Sequence, residues 1–169
     1  AIEELPCAGS VMIDSGSTLS ILADMLPDDR ELTVFTNSVP VIQALTVREA
    51  VEVNVIGGLL RKNTMAMVDS TGVDTVRDLV VDMLFISCDG VSPEHGFTTP
   101  YRAEVAIKRA MISAARWVVM LFDHAKVGND QVFRFAAIDE VDASITDSAV
   151  PAATVRALQD LGPQVICVE

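Results

Sequence analysis

Short apolar runs of strand length recur along the chain, and segments with helical spacing separate most of them. Seven runs are predicted as strands: residues 11–13, 32–35, 51–56, 83–87, 117–122, 143–146 and 164–168. Most of these runs are continuously hydrophobic instead of alternating, which is typical of parallel strands buried on both faces of a sheet. The pattern therefore predicts a mostly parallel sheet.

Five intervening segments have the spacing of amphipathic helices: residues 18–26, 39–44, 71–80, 102–115 and 152–161. Pro151 stands at the start of the last helix, where proline is tolerated, and Gly162-Pro163 ends it. Alternating strands and helices predict βαβ units with right-handed crossovers. We expect one α/β domain over residues 1–169, a Rossmann-like sheet with helices on both faces.

Two stretches, residues 89–100 and 123–132, show neither period and are predicted to be irregular. Each follows a predicted strand. Open α/β sheets bind ligands beyond the carboxyl ends of their strands, so both stretches are candidates to border a site.

Composition narrows the function mainly by exclusion. The 24 acidic and 12 basic residues give a net charge of −12, the opposite of a nucleic-acid-binding surface, so any contact with DNA must come from another segment.

Three widely spaced cysteines and two histidines predict buried thiols in a reducing cytoplasm, with neither a disulfide framework nor a metal site. No run approaches the ~18 apolar residues of a membrane span. We expect no cofactor.

The turn after the first predicted strand is the best candidate for an anion site. Ser15, Ser17 and Thr18 offer hydroxyls, and Gly16 allows a ligand to approach the backbone closely. The free N–H groups at the start of the following helix favour an anion. A helix N-cap built from the same residue types, including Asp14, is the structural alternative.

Later strands end in similar residues: Thr36-Asn37-Ser38, Gly57-Gly58, Asp89-Gly90, and Asp123 followed by Lys126. Because the carboxyl ends of parallel strands share one edge of the sheet, the repetition predicts a single crevice for a polar ligand.

Lys126 and Lys108 are the candidate cations for a phosphate in that crevice. Glu104 lies four residues before Lys108 on one predicted helix, so a simple ion pair between the two is the alternative. For Arg61 with Lys62 the simpler interpretation is a solvated loop, and for His95 it is a surface turn.

In their order and spacing these motifs resemble the C-terminal sensor domain of the DeoR family of bacterial transcription regulators. The resemblance runs from about Val11 to Val168 and rests on Asp14-Ser-Gly-Ser-Thr, Thr36-Asn37-Ser38, Gly57-Gly58-Leu-Leu-Arg61, Asp89-Gly90, His95-Gly96-Phe-Thr98, Glu104 with Lys108, Asp123-x-x-Lys126 and Ile145-Thr-Asp147. Two positions depart from the pattern. Asp69 stands where the family has glycine, and His124-Ala125 replaces an acid-or-serine pair before Lys126.

The resemblance implies a cytoplasmic, non-enzymatic sensor of a phosphorylated sugar or related metabolite, working as a dimer or tetramer within a repressor of sugar metabolism genes. Operator DNA would be bound by an N-terminal winged helix-turn-helix that lies outside this chain. The implied ligand-binding residues are Asp14, Ser15, Gly16, Ser17, Thr18, Thr36, Asn37, Ser38, Gly57, Gly58, Asp89, Gly90, Thr98, Glu104, Lys108 and Lys126. The phosphate would lie against residues 15–18, with residues 36–38 closing one side and Asp14 and Asp89 accepting hydrogen bonds from sugar hydroxyls.

The family's fold also resembles ribose-5-phosphate isomerase (a NagB-type fold), which supplies an enzymatic alternative. Alignment on Asp123 and Lys126 puts Lys108 where the isomerase has its glutamate base, and alignment on Asp89 puts Ser92 at its second aspartate. A protonated lysine cannot accept a proton, so this comparison implies a pocket without the chemistry. A third possibility is an oligomerisation module with an empty crevice, which would show no saturable metabolite binding.

Overall fold

The computed structural model describes residues 1–168. Its strands are β1 (Ala8–Ile13), β2 (Glu31–Thr36), β3 (Val51–Val55), β4 (Leu59–Arg61), β5 (Ala66–Val68), β6 (Met83–Ser87), β7 (Gly90–Ser92), β8 (Gly96–Thr99), β9 (Val118–Leu121), β10 (Phe133–Ala136), β11 (Ala143–Asp147) and β12 (Gln164–Val168). Its helices are α1 (Ser17–Asp24), α2 (Val39–Leu45), α3 (Ser70–Arg77), α4 (Arg102–Ala114) and α5 (Ala152–Gln159). Single 3-10 turns cover Ile2–Glu4, His124–Lys126 and Ile138–Glu140.

Seven strands form one parallel sheet in the order β12-β11-β9-β6-β1-β2-β3. They are the seven predicted strands, and the five predicted helices are also present, with ends that match the prediction to within three residues. The expected α/β fold with a parallel sheet is therefore confirmed. The chain moves from β1 outward to β2 and β3, then crosses back to β6 and continues in the other direction. This reversal lies between β1 and β6.

Two apolar cores lie on opposite faces of this sheet, and neighbouring residues of the same strand alternate between them. In β1, Val11 and Ile13 pack with α1 and α2, whereas Met12 packs with α3 and α4. All three side chains are fully buried. A strand covered on both faces needs apolar residues at every position, which explains the continuous runs in the sequence.

The stretch 89–100 is not irregular, and this prediction is wrong. It contains β7 and β8, which join β10 in a three-stranded antiparallel sheet. A second unpredicted element is the hairpin of β4 and β5. These strands span three or four residues each, too few for the alternation that identifies a strand in sequence.

Within residues 1–168, none of the helices combines the length and the apolar character that crossing a membrane requires.

Candidate ligand-binding cleft

A cleft of about 540 Å³ opens beyond the carboxyl ends of β1 and β6, where the order of the sheet reverses. Ligands of open α/β sheets bind at such a reversal, and the volume is typical of small-molecule sites. The residues that line it are Ser15, Gly16, Ser17, Ser20, Ile21, Pro40, Asn63, Thr64, Met65, Ser87, Asp89, Tyr101, Glu104 and Lys108.

The turn after β1 is held against the end of β6. The Ser87 hydroxyl donates a hydrogen bond to the carbonyl of Ser15 at 2.9 Å. Gly16 has φ +140°, and a Cβ at this position would lie 2.6 Å from Ser87 Oγ. Both the conformation and the close contact require glycine, so this turn brings backbone, not side chain, to the cleft wall.

Helix α1 begins directly at this turn. Its N-cap is Gly16, which has no side chain to accept hydrogen bonds from the first turn of the helix. The Ser20 hydroxyl instead donates back to the Gly16 carbonyl at 3.0 Å. The alternative in which Ser15, Ser17 or Thr18 serves as the N-cap is therefore wrong. The first-turn N–H groups have no intrahelical acceptors, and Gly16, Ser17 and Ser20 all line the cleft.

Lys108 forms a buried ion pair at the floor of the cleft. Its Nζ lies 2.5 Å from Asp14 Oδ2 and donates to the Ser87 carbonyl at 2.9 Å. The two side chains are 3% and 1% exposed. Burial alone would lower the pKa of Lys108, but the carboxylates of Asp14, Glu104 and Asp89 outweigh it and raise the pKa above 10.5. Lys108 is therefore a fixed cation, and Asp14 is bound to it instead of projecting toward a ligand as expected.

Glu104 does not pair with Lys108, although the two are spaced for an ion pair on one helix. Its Oε1 lies 3.1 Å from the Arg61 guanidinium, which comes from the β4–β5 hairpin. That guanidinium also stacks 3.4 Å from the ring centre of Tyr101. Arg61 is therefore not a solvated loop residue. Because of these contacts the hairpin is attached to α4, and its turn residues 63–65 form one wall of the cleft.

Asp89 follows β6 and adds a half-buried carboxylate to the cleft. Its Oδ2 accepts a hydrogen bond from the Thr99 hydroxyl at 2.9 Å. The preceding residue, Cys88, is buried, and burial raises the pKa of its thiol to about 12. The thiol is therefore neutral and unreactive in the folded protein. The prediction of buried thiols holds for Cys88 alone, because Cys7 and Cys167 are exposed.

Six of the predicted ligand residues line the cleft: Ser15, Gly16, Ser17, Asp89, Glu104 and Lys108. Asp14 lies directly behind them as the partner of Lys108. Residues 36–38 were expected to close one side, but they lie behind the wall. Thr36 and Asn37 bond to neighbouring backbone, and Ser38 caps α2. Pro40 lines the cleft in their place.

The remaining predicted residues serve other parts of the fold. Gly57 and Gly58 lead into the β4–β5 hairpin, where Gly58 has φ +140° and packs against Asp69. Gly90 and Thr98 are buried where the small antiparallel sheet meets the loop at Asn129. Thr18 borders a neighbouring apolar pocket, and Lys126 is half-buried in the 3-10 turn after β9, away from the cleft lining.

Several lining residues were missed by the sequence interpretation: Ser20, Ile21, Pro40, Asn63, Thr64, Met65, Ser87 and Tyr101. Ser20 had a local signal, since it lies one helical turn after Gly16. Asn63, Thr64 and Met65 had none, because only the unpredicted hairpin brings them to the cleft.

Ser92, His95 and Asp130 cluster outside the cleft and superficially resemble a hydrolase triad. His95 contacts both partners through the same atom: Nδ1 lies 2.9 Å from Asp130 Oδ2 and 3.5 Å from Ser92 Oγ. A triad needs the two ring nitrogens to face different partners, so this cluster only ties two loops together. The His95 side chain is 68% exposed, in agreement with a surface turn.

Comparison with known proteins bears on the identity of this cleft. The family model described as the DeoR C terminal sensor domain matches residues 1–148. The HTH-type transcriptional regulator GlpR of Haloferax volcanii is 32% identical over 166 residues, which are 98% of this chain and 65% of that protein. The Glycerol-3-phosphate regulon repressor of Escherichia coli (strain K12) is 27% identical over 158 residues, 94% of this chain and 63% of that protein. The chain thus spans less than two thirds of the length of these relatives.

Two solved structures have the same fold. Ribose 5-phosphate isomerase A from Methanocaldococcus jannaschii matches with a TM-score of 0.52 and 13% identity. The enzyme from Neisseria gonorrhoeae matches with a TM-score of 0.53 and 16% identity. Each match covers 75% of this chain and 49% of the isomerase chain. At this identity the likeness concerns the fold alone, and it confirms the isomerase-like architecture expected from the sequence.

Proposed function

This chain belongs to the DeoR family of transcription regulators as a C-terminal sensor domain, and we propose that its cleft between β1 and β6 binds a small phosphorylated sugar or a related phosphorylated metabolite. The observation that carries the proposal is the convergence of the uncapped start of α1 and the buried ammonium of Lys108 on one cleft. Each of these groups favours an anionic oxygen.

The two ends of the cleft differ in what they can bind. At the α1 end, the first-turn N–H groups and the Ser17 hydroxyl suit the oxygens of a phosphate, whereas the Ser20 hydroxyl already donates to the Gly16 carbonyl. At the β6 end, the carboxylates of Asp89 and Glu104 suit hydroxyl donors of a polyol. Lys108 also lines the cleft, and two of its three N–H donors are used by Asp14 and Ser87, so a third is left for the ligand. A phosphorylated polyol matches this set of groups.

In such a sensor, ligand binding must change the structure of the protein outside the cleft. We propose that this chain is the effector-binding part of a longer repressor of sugar metabolism genes, and that DNA is bound by a separate winged helix-turn-helix. Bound ligand would bias the geometry of a dimer or tetramer that spaces the DNA-binding parts. The bias is limited to the difference in ligand affinity between the two geometries.

A panel of phosphorylated and unphosphorylated sugars tests the binding proposal by thermal shift and calorimetry. At least one phosphate ester, among glycerol 3-phosphate and the phosphates of common pentoses and hexoses, is expected to stabilise the domain. Saturation at 100 times Kd adds ~2.7 kcal/mol. The same sugar without its phosphate is the matched control and is expected to give no shift. If no member binds, or if each pair binds equally, the phosphate-binding proposal is wrong, and a complete absence of binding favours an oligomerisation module.

We also propose that the domain is catalytically silent. Incubation with ribose 5-phosphate is expected to give no ribulose 5-phosphate above the background rate, because Lys108 is paired with Asp14 as a cation and cannot accept a proton from the sugar. A coupled assay for the ketose measures this directly. Turnover that disappears in Lys108→Ala would contradict the assignment and support an isomerase.

A further inference from the structure

A groove of about 430 Å³ is formed by helix α4 and strand β10, on the side of α4 away from the ligand-binding cleft. Arg102, Val105 and Arg109 line it from α4, where spacings of three and four residues place them on one face of the helix. Arg134 lines it from β10. In the part of the chain that the structure describes, no aspartate or glutamate is among the lining residues. We call it the arginine groove.

The positive charge of this groove is not neutralised by the protein. Arg102, Arg109 and Arg134 are exposed, and no carboxylate within residues 1–168 forms an ion pair with any of them. The chain has 24 acidic residues for 12 basic ones, and four of its other six arginines are ion-paired. Three unpaired arginines in one groove therefore make it a local region of positive potential on an acidic protein.

The backbone of β10 holds one of these cations in a fixed position. Arg109 Nε donates to the carbonyl of Phe135 at 3.2 Å, and Arg109 Nη2 donates to the carbonyl of Arg134 at 3.1 Å. A guanidinium has five N–H donors, so three more are available to a ligand. Because the group is already oriented, little side-chain entropy is lost when an anion binds. Guanidinium groups of this kind bind phosphate oxygens through paired hydrogen bonds.

The groove also has apolar walls. Val105 and Phe133 are half-buried, and Val132 beside them is 82% exposed. Such side chains do not bind a phosphate group, but they can cover the organic part of a molecule that carries one. The groove therefore suits a compact anion, either free or attached to an organic group.

We propose that the arginine groove binds a short polyphosphate, either free or as the triphosphate of a nucleotide. A single phosphate ester carries a charge of about −1.5 to −2, which is less than three guanidinium groups can neutralise, whereas a triphosphate supplies more charge and more acceptor oxygens. Duplex DNA fits less well, because the net charge of −12 repels an extended polyanion. This site is separate from the cleft and does not depend on the cleft ligand.

Calorimetric titration of the whole chain with tripolyphosphate at about 100 mM salt tests the site. Saturable binding is expected, and Arg102→Gln combined with Arg134→Gln is expected to weaken it by roughly 10-fold or more, because charge-assisted contacts are lost. Both side chains are exposed, so the fold should survive, which circular dichroism checks. Lys62→Gln combined with Arg156→Gln removes the same charge at exposed positions outside the groove and is expected to bind as the wild type does.

The cleft is itself proposed to bind a phosphate, so the two sites must be separated. In Ser17→Glu, which places a carboxylate in the cleft, tripolyphosphate is expected still to bind, and adding the two arginine substitutions is expected to weaken that binding. Binding that Ser17→Glu abolishes and the arginine substitutions leave unchanged would overturn the proposal and place the polyphosphate in the cleft. Failure of the cleft to bind sugar phosphates would leave the groove unaffected.

Two further ligands identify what the groove recognises. ATP that binds more tightly than tripolyphosphate identifies a nucleotide as the source of the polyphosphate, through contact of its organic part with the apolar walls. Equal or weaker binding of ATP identifies the free polyphosphate. Absence of saturable binding by both would overturn the proposal, and binding of a short polyglutamate peptide in their place would assign the groove to an acidic protein segment.

Discussion

Asp14→Ala is expected to destabilise the folded chain by about 3–5 kcal/mol, because Asp14 is the ionic partner of the buried Lys108. The substitution leaves the Lys108 ammonium 97% buried with only one of its two hydrogen-bond acceptors, the Ser87 carbonyl. An unpaired charge in such a place costs far more than the ion pair contributed. Urea denaturation followed by circular dichroism measures the loss.

The double substitution of Asp14→Leu and Lys108→Met is the matched control. It removes both charges at once and fills similar volume, so it is expected to be far less destabilising than Asp14→Ala and near neutral. Ligand binding should fall in this variant even though the fold survives, because the cleft has lost its buried cation. A loss of less than ~1 kcal/mol in Asp14→Ala would show that the pair is open to water and would contradict the buried geometry.

The pH dependence of this pair has a defined sign. The folded pKa of Lys108 is raised above its ordinary value of 10.5. Its contribution to stability is therefore fully present below about pH 10.5 and is lost only as the pH rises through the folded pKa.

Asp82 behaves in the opposite way, since hydrogen bonds from the Ser10 backbone and hydroxyl lower its pKa below 3.8. Its contribution is present above pH 3.8 and is lost as the pH falls through the lowered value.

The large sheet was predictable because its central strands are buried on both faces, so they become nearly uninterrupted apolar runs such as residues 83–87. The short strands outside the large sheet were not predictable. β7 is only Gly90, Val91 and Ser92, and its strand conformation is set by pairing with β8, not by any property of the three residues. Pairing across the chain decides structure where local propensity is weak.

The cleft was only partly predictable for a related reason. The turn after β1 has a local signal, since small residues must follow a buried strand there for a ligand to approach. The ion pairs have no such local signal. Lys108 pairs with Asp14, 94 residues away, and Glu104 pairs with Arg61, 43 residues away, although the two are spaced to pair with each other. Sequence spacing identifies possible neighbours on one helix but cannot rank them against partners from other elements.

Asp69, where the resemblance predicts a glycine, has a structural role of its own. Asp69 caps α3, accepting hydrogen bonds from the N–H groups of Thr71 and Gly72, and its other oxygen accepts from Leu59 at the start of the β4–β5 hairpin. Its φ of 174° is ordinary extended backbone, so glycine is not required. Asp69 therefore links α3 to the hairpin that supports one wall of the cleft.

Ser17→Glu is expected to lower the affinity for the best phosphate ester by about 100-fold or more while the fold stays intact. The exposed Ser17 begins α1 and lines the cleft, so a carboxylate there would lie where the phosphate must bind. Two like charges about 4 Å apart near a protein surface repel by roughly 4 kcal/mol. At the start of a helix the same carboxylate is tolerated or stabilises by ~0.3–1 kcal/mol, so the denaturation midpoint should not fall.

Ser70→Glu is the matched control for this experiment. Ser70 is exposed and begins α3, another helix of eight residues, and it lies outside the cleft lining. The two variants carry the same added charge at the same helical position, so long-range repulsion of an anionic ligand is similar and only the local contact differs. Calorimetric titration of both variants and the wild type therefore isolates the turn after β1. Equal affinities in all three proteins would remove this turn from the site and leave Lys108 and Asp89 as the groups that hold the ligand.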